Sequence, residues 1–265
     1  MKKMFKKYWT VWSMTALNAF QEAFVNRGSN LLFMLGKTIR FTMTLIFLFI
    51  IKENVTDFQG YNTDQLVVFF LTYTIVDTIA QIFYRGVYLF SSLVRDGNFD
   101  FYLAKPINPL FQALTGKPDV NDALFLIPTI VACAWIISQL SVTLTPVSLI
   151  LFGILMFNSL LIATSLHIVV LVVGILTTEV DGVIWLYRDM MQLARFPVSV
   201  YLEPIRLALF FLIPVGMMIT VPAEVLMNAT PSYSILVACT VGIGSFIASL
   251  WLWKWGLKQY SSASS

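Results

Sequence analysis

VSLILFGILMFNSLLIATSLHIVVLVVGILT, residues 147–177, runs for 31 residues without an Asp, Glu, Lys or Arg. A bilayer crossing needs about 20 predominantly apolar residues. This stretch therefore crosses with length to spare, and the surplus requires it to tilt or to project into the cytoplasm. Five further runs are long enough to span: Leu31–Ile51, Gln65–Tyr84, Ala123–Leu140, Pro204–Pro222 and Ser234–Trp255. Of the 265 residues, 58% are hydrophobic and only 12% charged, with a mean hydropathy of +0.80; a soluble domain carries about 25% charged residues. Six spans use about 120 residues. The expectation is an all-α, polytopic membrane protein with a single domain over residues 1–265. Residues 1–29 form an amphipathic N-terminal helix, residues 30–260 a six-span bundle, and no length is left for a separate soluble domain.

The basic residues set the orientation. Lys2, Lys3, Lys6, Lys7 and Arg27 precede the first run. Arg85, Arg95, Lys105 and Lys117 follow the second, Arg188 and Arg195 follow the fourth with Arg206 just beyond, and Lys254 and Lys258 lie in the tail. After the first run Lys52 stands against Glu53, Asp57 and Asp64, and the loops after the third and fifth have no Lys or Arg. Basic loops stay cytoplasmic, so six spans with both termini inside is the assignment that collects nearly all the bases on one side. The net charge of +3 is this topology signal, and no nucleic-acid partner is expected. About 30 residues precede the first apolar run, too many for a cleavable signal peptide, so that run is read as a permanent anchor.

Three segments outside the spans carry pattern. On a helical wheel Phe5, Tyr8, Trp9, Trp12, Ala16, Ala19, Phe20 and Ala23 share one arc, with Lys6, Lys7, Gln21 and Glu22 opposite. That describes a helix lying in the membrane interface or one packed on other protein. Between the second and third spans, Asp96-Gly97 signals a turn, and Phe99 to Lys105 form a short helix stopped by Pro106 and Pro109. Phe99, Phe101, Tyr102 and Leu103 crowd this cytoplasmic stretch, and such a cluster needs a surface to bury against: lipid, the rest of the chain or a partner. In residues 179–203, Trp185, Leu186, Met190 and Leu193 recur at helical spacing with Arg188, Asp189 and Arg195 among them, which predicts a second cytoplasmic, interfacial or partner-facing helix.

Catalytic motifs are missing. Gly36-Lys37-Thr38 resembles the end of a phosphate-binding loop, but the motif needs a Gly five residues earlier, where Leu31 stands. Gly116-Lys117 is followed by Pro118 and fails too. His167 is the one histidine, read as a packed polar residue or, alternatively, part of a substrate or proton path. Cys133 and Cys239 lack metal-ligand spacing. No catalytic residue, metal or cofactor is expected, and any ATP hydrolysis would belong to a partner.

Charges inside the spans say more. At ~1.5 Å per residue, Arg40 lies about 15 Å into the first span and Asp77 about 12 Å from the inner end of the second, so the two share a depth. An unpaired charge there costs at least ~2.5–3.5 kcal/mol. Arg40 and Asp77 are therefore expected to pair, directly or through water, or else to line an aqueous path. Lys37, nearer the boundary, can snorkel. In the fifth run Pro214 and Pro222-Ala-Glu224 predict kinks or a broken helix near the outer face, a feature that recurs in transport proteins.

These residues resemble the permease subunits of ABC-2-type transporters, in the bacterial branch whose permeases are often paired beside a separate ATPase. The resemblance is carried by Arg95-Asp-Gly-Asn-Phe-Asp-Phe-Tyr-Leu-Ala-Lys-Pro-Ile-Asn-Pro109, by Ala194-Arg-Phe-Pro-Val-Ser-Val-Tyr201, and by Ile213-Pro214 through Glu224. It implies two facing permeases, from the same chain or a paralogue, above a pair of ATPase subunits in the bacterial cell membrane. Arg95, Asp96, Gly97, Phe99, Asp100, Phe101, Tyr102, Leu103 and Lys105 would form the ATPase-coupling segment, and the ATPase would bury the aromatic cluster. Trp185, Arg188, Asp189 and Arg195 would make a second cytoplasmic contact. The alternative from another class is a stand-alone secondary transporter or channel. A secondary carrier should show an internal repeat, and none is visible between residues 1–140 and 141–265. No aromatic groove or charged ring in the sequence selects a substrate; the low charge of the spans favours a lipophilic or amphipathic cargo.

Overall fold

The structure, a computed structural model, describes residues 2–54, 58, 60–230 and 232–261; Asp57, one of the expected outer-loop acids, lies outside them. Among the described residues there is no strand, only one isolated bridge between Phe58 and Tyr61. Helix α1 (Lys2–Val25) runs almost directly into α2 (Arg27–Asn54). Helix α3 (Thr63–Tyr84) is followed by a 3-10 turn and the short helices α4 (Phe90–Arg95), α5 (Phe99–Ala104) and α6 (Pro109–Thr115). The long helices α7 (Val120–Gln139) and α8 (Pro146–Thr177) come next, then α9 (Asp181–Leu193), α10 (Glu203–Leu207), α11 (Val215–Leu226) and α12 (Ser232–Gln259).

Side chains close the helix starts, whose first N–H groups have no intrahelical acceptor. Asn62 Oδ1 accepts from Gln65 N at 2.9 Å while Gln65 Oε1 accepts from Asn62 N at 2.9 Å, a reciprocal cap on α3. Thr145 and Ser148 do the same for α8, with Pro146 at its first position. Asp119 accepts from Asn121 N and Asp122 N to open α7.

Helix α8 is the central pillar, with α3, α11 and α12 packed on it. The start of α1 and the residue after α12 lie at one end of the bundle. Lys7 Nζ donates to Pro106 O, and Tyr260 Oη donates to Asp100 at 2.9 Å. With the bases gathered there, this is the inner end.

The fifth crossing is not where hydropathy puts it. Five helical stretches are long and apolar enough to cross a membrane on their own, while Glu203–Leu212 and Val215–Leu226 pass only as a pair bent by 94°. The segment 181–200 goes through instead. It starts beside Gly174 and Phe90 at the inner end, where Val180 packs. Midway, Arg188 pairs with Asp77 of α3. It finishes with Phe196 6.5 Å from Phe58 and Ser199 Oγ 3.5 Å from Tyr61 Oη, both partners in the loop that precedes α3 at the outer end. Residues 179–203 are therefore not a cytoplasmic loop, and Pro204–Pro222 is not a through span. The six-span, both-termini-inside layout stands, with α9 as the fifth crossing.

The bend falls at Ile213-Pro214. Proline disfavours the α conformation in the residue before it, and Ile213 sits at φ −123°, ψ 86° with its N–H bonded to Ala208 O. Helix α11 then runs to the outer end, where Asn228 Nδ2 donates to Thr143 O at 2.8 Å. Twelve residues make about 18 Å of helix, so Pro214 lies deep in the bundle and not near the outer face as expected. Pro222 breaks nothing: α11 is continuous through it. A proline has no N–H for the carbonyl four residues back, which orphans Met218 O. Ser159 of α8 supplies the missing donor, its Oγ 2.7 Å from Met218 O.

Close approach of α8 and α12 depends on Gly242, where an added Cβ would overlap the Asn158 side chain; Asn158 Nδ2 donates to Ala238 O at 2.9 Å. Gly242→Leu should therefore sharply lower folded yield and melting temperature in detergent, whereas Gly244→Leu, in open space on the same helix, should change neither. Ser159→Ala should cost ~1–3 kcal/mol for an unsatisfied buried carbonyl. Adding Pro222→Ala, which restores the intrahelical N–H, should recover most of that loss in a thermal-melt double-mutant cycle.

Candidate functional site

Two features are candidates: a charged groove inside the bundle and a shelf at its inner end. The groove begins as an open cleft between α2, α3, α7 and α9, lined by Lys37, Arg40, Tyr73, Asp77, Arg188 and Arg195 among others. It adjoins a second space that shares Arg40, Thr44, Phe70 and Arg195 and continues past Met43, Phe47, Leu48 and Phe196. At ~1.5 Å per residue Asp77 lies about 21 Å from the outer end of α3, inside a hydrocarbon core about 30 Å thick.

The expected Arg40–Asp77 pair does not form. Asp77 pairs with Arg188, and Arg40 makes no ion pair among the described residues, although both line the same cavity. Arg40 and Asp77 line one cavity, but α9 brings Arg188 onto Asp77 instead. Arg195 lies over the Tyr73 ring, 5.1 Å from its centroid, with Nη2 3.5 Å from Tyr73 Oη. Trp185, Arg188, Asp189 and Arg195 are thus not a cytoplasmic contact: Arg188 and Arg195 face α3 within the bundle, while Trp185 and Asp189 are exposed on the far side of α9. Lys37, expected to snorkel, pairs with Asp122, a buried acid in the first turn of α7. Sequence reading missed Asp122; the Asp119/Asp122 spacing at a helix start was the available signal. Glu224 accepts from Tyr61 Oη at 2.7 Å, tying α11 to the outer loop. His167 is fully buried, between the rings of Tyr84 and Tyr187 at 4.7 Å each, with Nδ1 2.8 Å from Ala163 O.

The inner shelf is α4–α6. Asp96 and Gly97 make the expected turn, with Gly97 at φ +70°, a conformation glycine adopts freely. The aromatic cluster divides. Phe99 is wholly buried, 5.1 Å from both Phe90 and Tyr260 and 6.3 Å from Trp253 by ring centroids. It belongs to the core and is not a docking residue, so the chain itself meets its need for a burial surface. Asp100 accepts from Tyr260; burial, with Asp100 adding, pushes the Tyr260 hydroxyl up to about 12, so it remains a donor at physiological pH. Tyr102 is half-buried under Lys105, whose Nζ is 5.4 Å from the ring centroid. Phe101 at 64% and Leu103 at 40% exposure remain outside, with Arg95, Asp96 and Lys105 exposed beside them. Helix α1 braces the shelf: Tyr8 meets Phe111 at 4.9 Å, and Lys117 reaches Glu22 at 3.1 Å. The two readings of α1 combine, because Tyr8 and Trp12 turn to protein while Phe5, Trp9, Leu17 and Phe24 stay exposed.

A multi-pass helical bundle with a re-entrant helix and a polar groove at membrane depth is the build of a membrane transport component. Residues 38–264 match the family described as ABC-2 family transporter protein, and the chain belongs to that family. It is a permease component of an ABC transporter, the membrane part and not the catalytic one. Neither a curated protein nor a solved structure matches it.

Removing one partner of the part-buried Asp77–Arg188 pair leaves an unpaired charge at membrane depth, which costs at least ~2.5–3.5 kcal/mol. Asp77→Asn or Arg188→Gln alone should therefore lower the melting temperature in detergent by several degrees. The double variant Asp77→Asn/Arg188→Gln should recover most of the loss, and Arg40→Gln, which removes a charge with no acid partner among the described residues, should not lower stability.

Proposed function

We propose that the chain is the membrane-spanning subunit of an ATP-driven exporter in a bacterial cell membrane. It acts with a second permease, the same chain or a paralogue, and a separate pair of ATPase subunits. The observation that carries this reading is the tip of α5: Phe101 and Leu103 stand exposed at the inner end, while Phe99, two residues before Phe101, is wholly buried. An apolar tip on a rooted base suits a partner surface, and mixed aromatic and charged residues are typical of interface anchors. The ATPase would take Arg95, Asp96, Phe101, Leu103 and Lys105. Phe99, Asp100 and Tyr102 would transmit its movement.

The second permease is supported by α9. Asp189 and Gln192 are exposed beside Arg188, at the depth of Asp77. A charge turned to lipid there costs at least ~2.5–3.5 kcal/mol, so this face suits an aqueous path shared with a facing subunit.

The test is a mild-detergent purification of the tagged chain from its native membranes, with mass spectrometry of what accompanies it. An ABC ATPase should co-purify with the wild type and be lost from Phe101→Asp/Leu103→Asp, while the melting temperature of the chain is kept. Phe99→Ala is unsuitable as a docking probe because it would open the core. A folded, abundant chain without an ATPase, or one whose ATPase is indifferent to the α5 variant, would sink the coupling assignment and turn attention to a secondary transporter or channel.

A further inference from the structure

We infer that the groove between α2, α3 and α9 is a binding site for an amphiphile with an acidic headgroup. Four cations line the inner part of the groove: Lys37, Arg40, Arg188 and Arg195. Two acids answer them, Asp122 on Lys37 and Asp77 on Arg188. Arg40 and Arg195 have no carboxylate within ion-pair distance among the described residues, which leaves the cavity two positive charges in excess. Arg40 is thirteen residues into α2, about 20 Å from its inner start. Two unmatched guanidinium groups at such depth are unfavourable unless an anion joins them, and the guanidinium fork suits a phosphate or carboxylate held by two hydrogen bonds.

The outward continuation of the groove has the opposite character. Met43, Phe47, Leu48 and Phe196 line it, and Arg40 and Arg195 sit where the two parts join. An ion alone would leave that part empty, and a wholly apolar molecule would leave the cations unmet. A molecule with an acidic head and an apolar tail satisfies both. As a binding site this stands without any ATPase; as the cargo class of the permease it rests on the function proposed above.

The experiment is native mass spectrometry of the purified chain in neutral detergent, titrated with phosphatidylglycerol or with phosphatidylcholine of the same acyl chains. Phosphatidylglycerol should bind at least ~10-fold more tightly than phosphatidylcholine, with one strongly retained molecule per chain. Arg40→Gln/Arg195→Gln should abolish the preference, and Lys254→Gln/Lys258→Gln, which removes bases at the inner end of α12, should keep it. Equal binding of the two lipids, or an equal loss in both variants, overturns the site. If inorganic phosphate alone displaces the lipid completely, the site is for an ion and not an amphiphile. If the chain is found only as a lipid-free dimer, a second copy covers the groove; either result overturns the proposal. Should the arginine variant fail to fold, the wild-type lipid comparison and the phosphate competition decide alone. ATPase co-purification is scored separately, so loss of lipid preference with the ATPase still bound would overturn the ligand and leave the coupling reading intact.

Discussion

In hydrocarbon no water is available to a stray backbone N–H or C=O, and each one left unpaired costs several kcal/mol. Much of this bundle is arranged around that constraint. Where α11 needs a proline, the carbonyl it orphans at Met218 is met by Ser159 of the neighbouring helix. Where α8 and α12 touch, Asn158 extends from one to the Ala238 carbonyl of the other, and Gly242 gives it room. Small and hydroxylated residues do such work between membrane helices because apolar attraction between helices is weak when lipid is equally apolar. The polar atoms of α8 thus hold α11 and α12 around it, and the pillar is defined by Asn158 and Ser159 more than by its many Val, Ile and Leu.

The same reasoning applies to charge. Helix α9 is too short and too polar to look like a crossing, yet it threads the bundle because Arg188 meets Asp77 and Arg195 lies against Tyr73. A polar face can pass through a membrane when it is turned to other polar groups. Once α9 occupies the middle, the chain reaches the outer end early, and α10 and α11 must re-enter from outside. The 94° bend at Ile213-Pro214 is the geometric result, and the proline is what permits it.

Much of this was legible in the sequence, and the failures share a cause. Long apolar runs identified α2, α3, α7, α8 and α12, even with Lys37, Arg40 and Asp77 inside two of them, and the alternation of bases gave the side of each end. Hydropathy scores residues one at a time, so it cannot see a charge neutralised by a partner on another helix. That is why α9 read as a loop and Pro204–Pro222 as a span. Depth counting put Arg40 and Asp77 level, and both line one cavity, but depth does not say which of two arginines is nearer. Phe99, Phe101, Tyr102 and Leu103 looked alike as a string; only the arrival of Trp253 and Tyr260 from the far end of the chain separates the buried ring from the exposed ones.

Helix α2 is held very differently from its neighbours. Only 6% of its most apolar stretch is buried. Its attachments include the Lys37–Asp122 pair, the Asn30–Asn121 bond at 2.9 Å, the contacts of Phe41 with Phe70 at 5.7 Å and Phe125 at 6.4 Å, and the buried Leu48. The shelf, by contrast, is rooted by α4 against α8 and by Phe99 against Trp253 and Tyr260. The molecule therefore has a chassis and one loosely hung panel. On the coupling proposed above, a push delivered at the foot would travel up the chassis, and the wall of the groove to give way would be the panel.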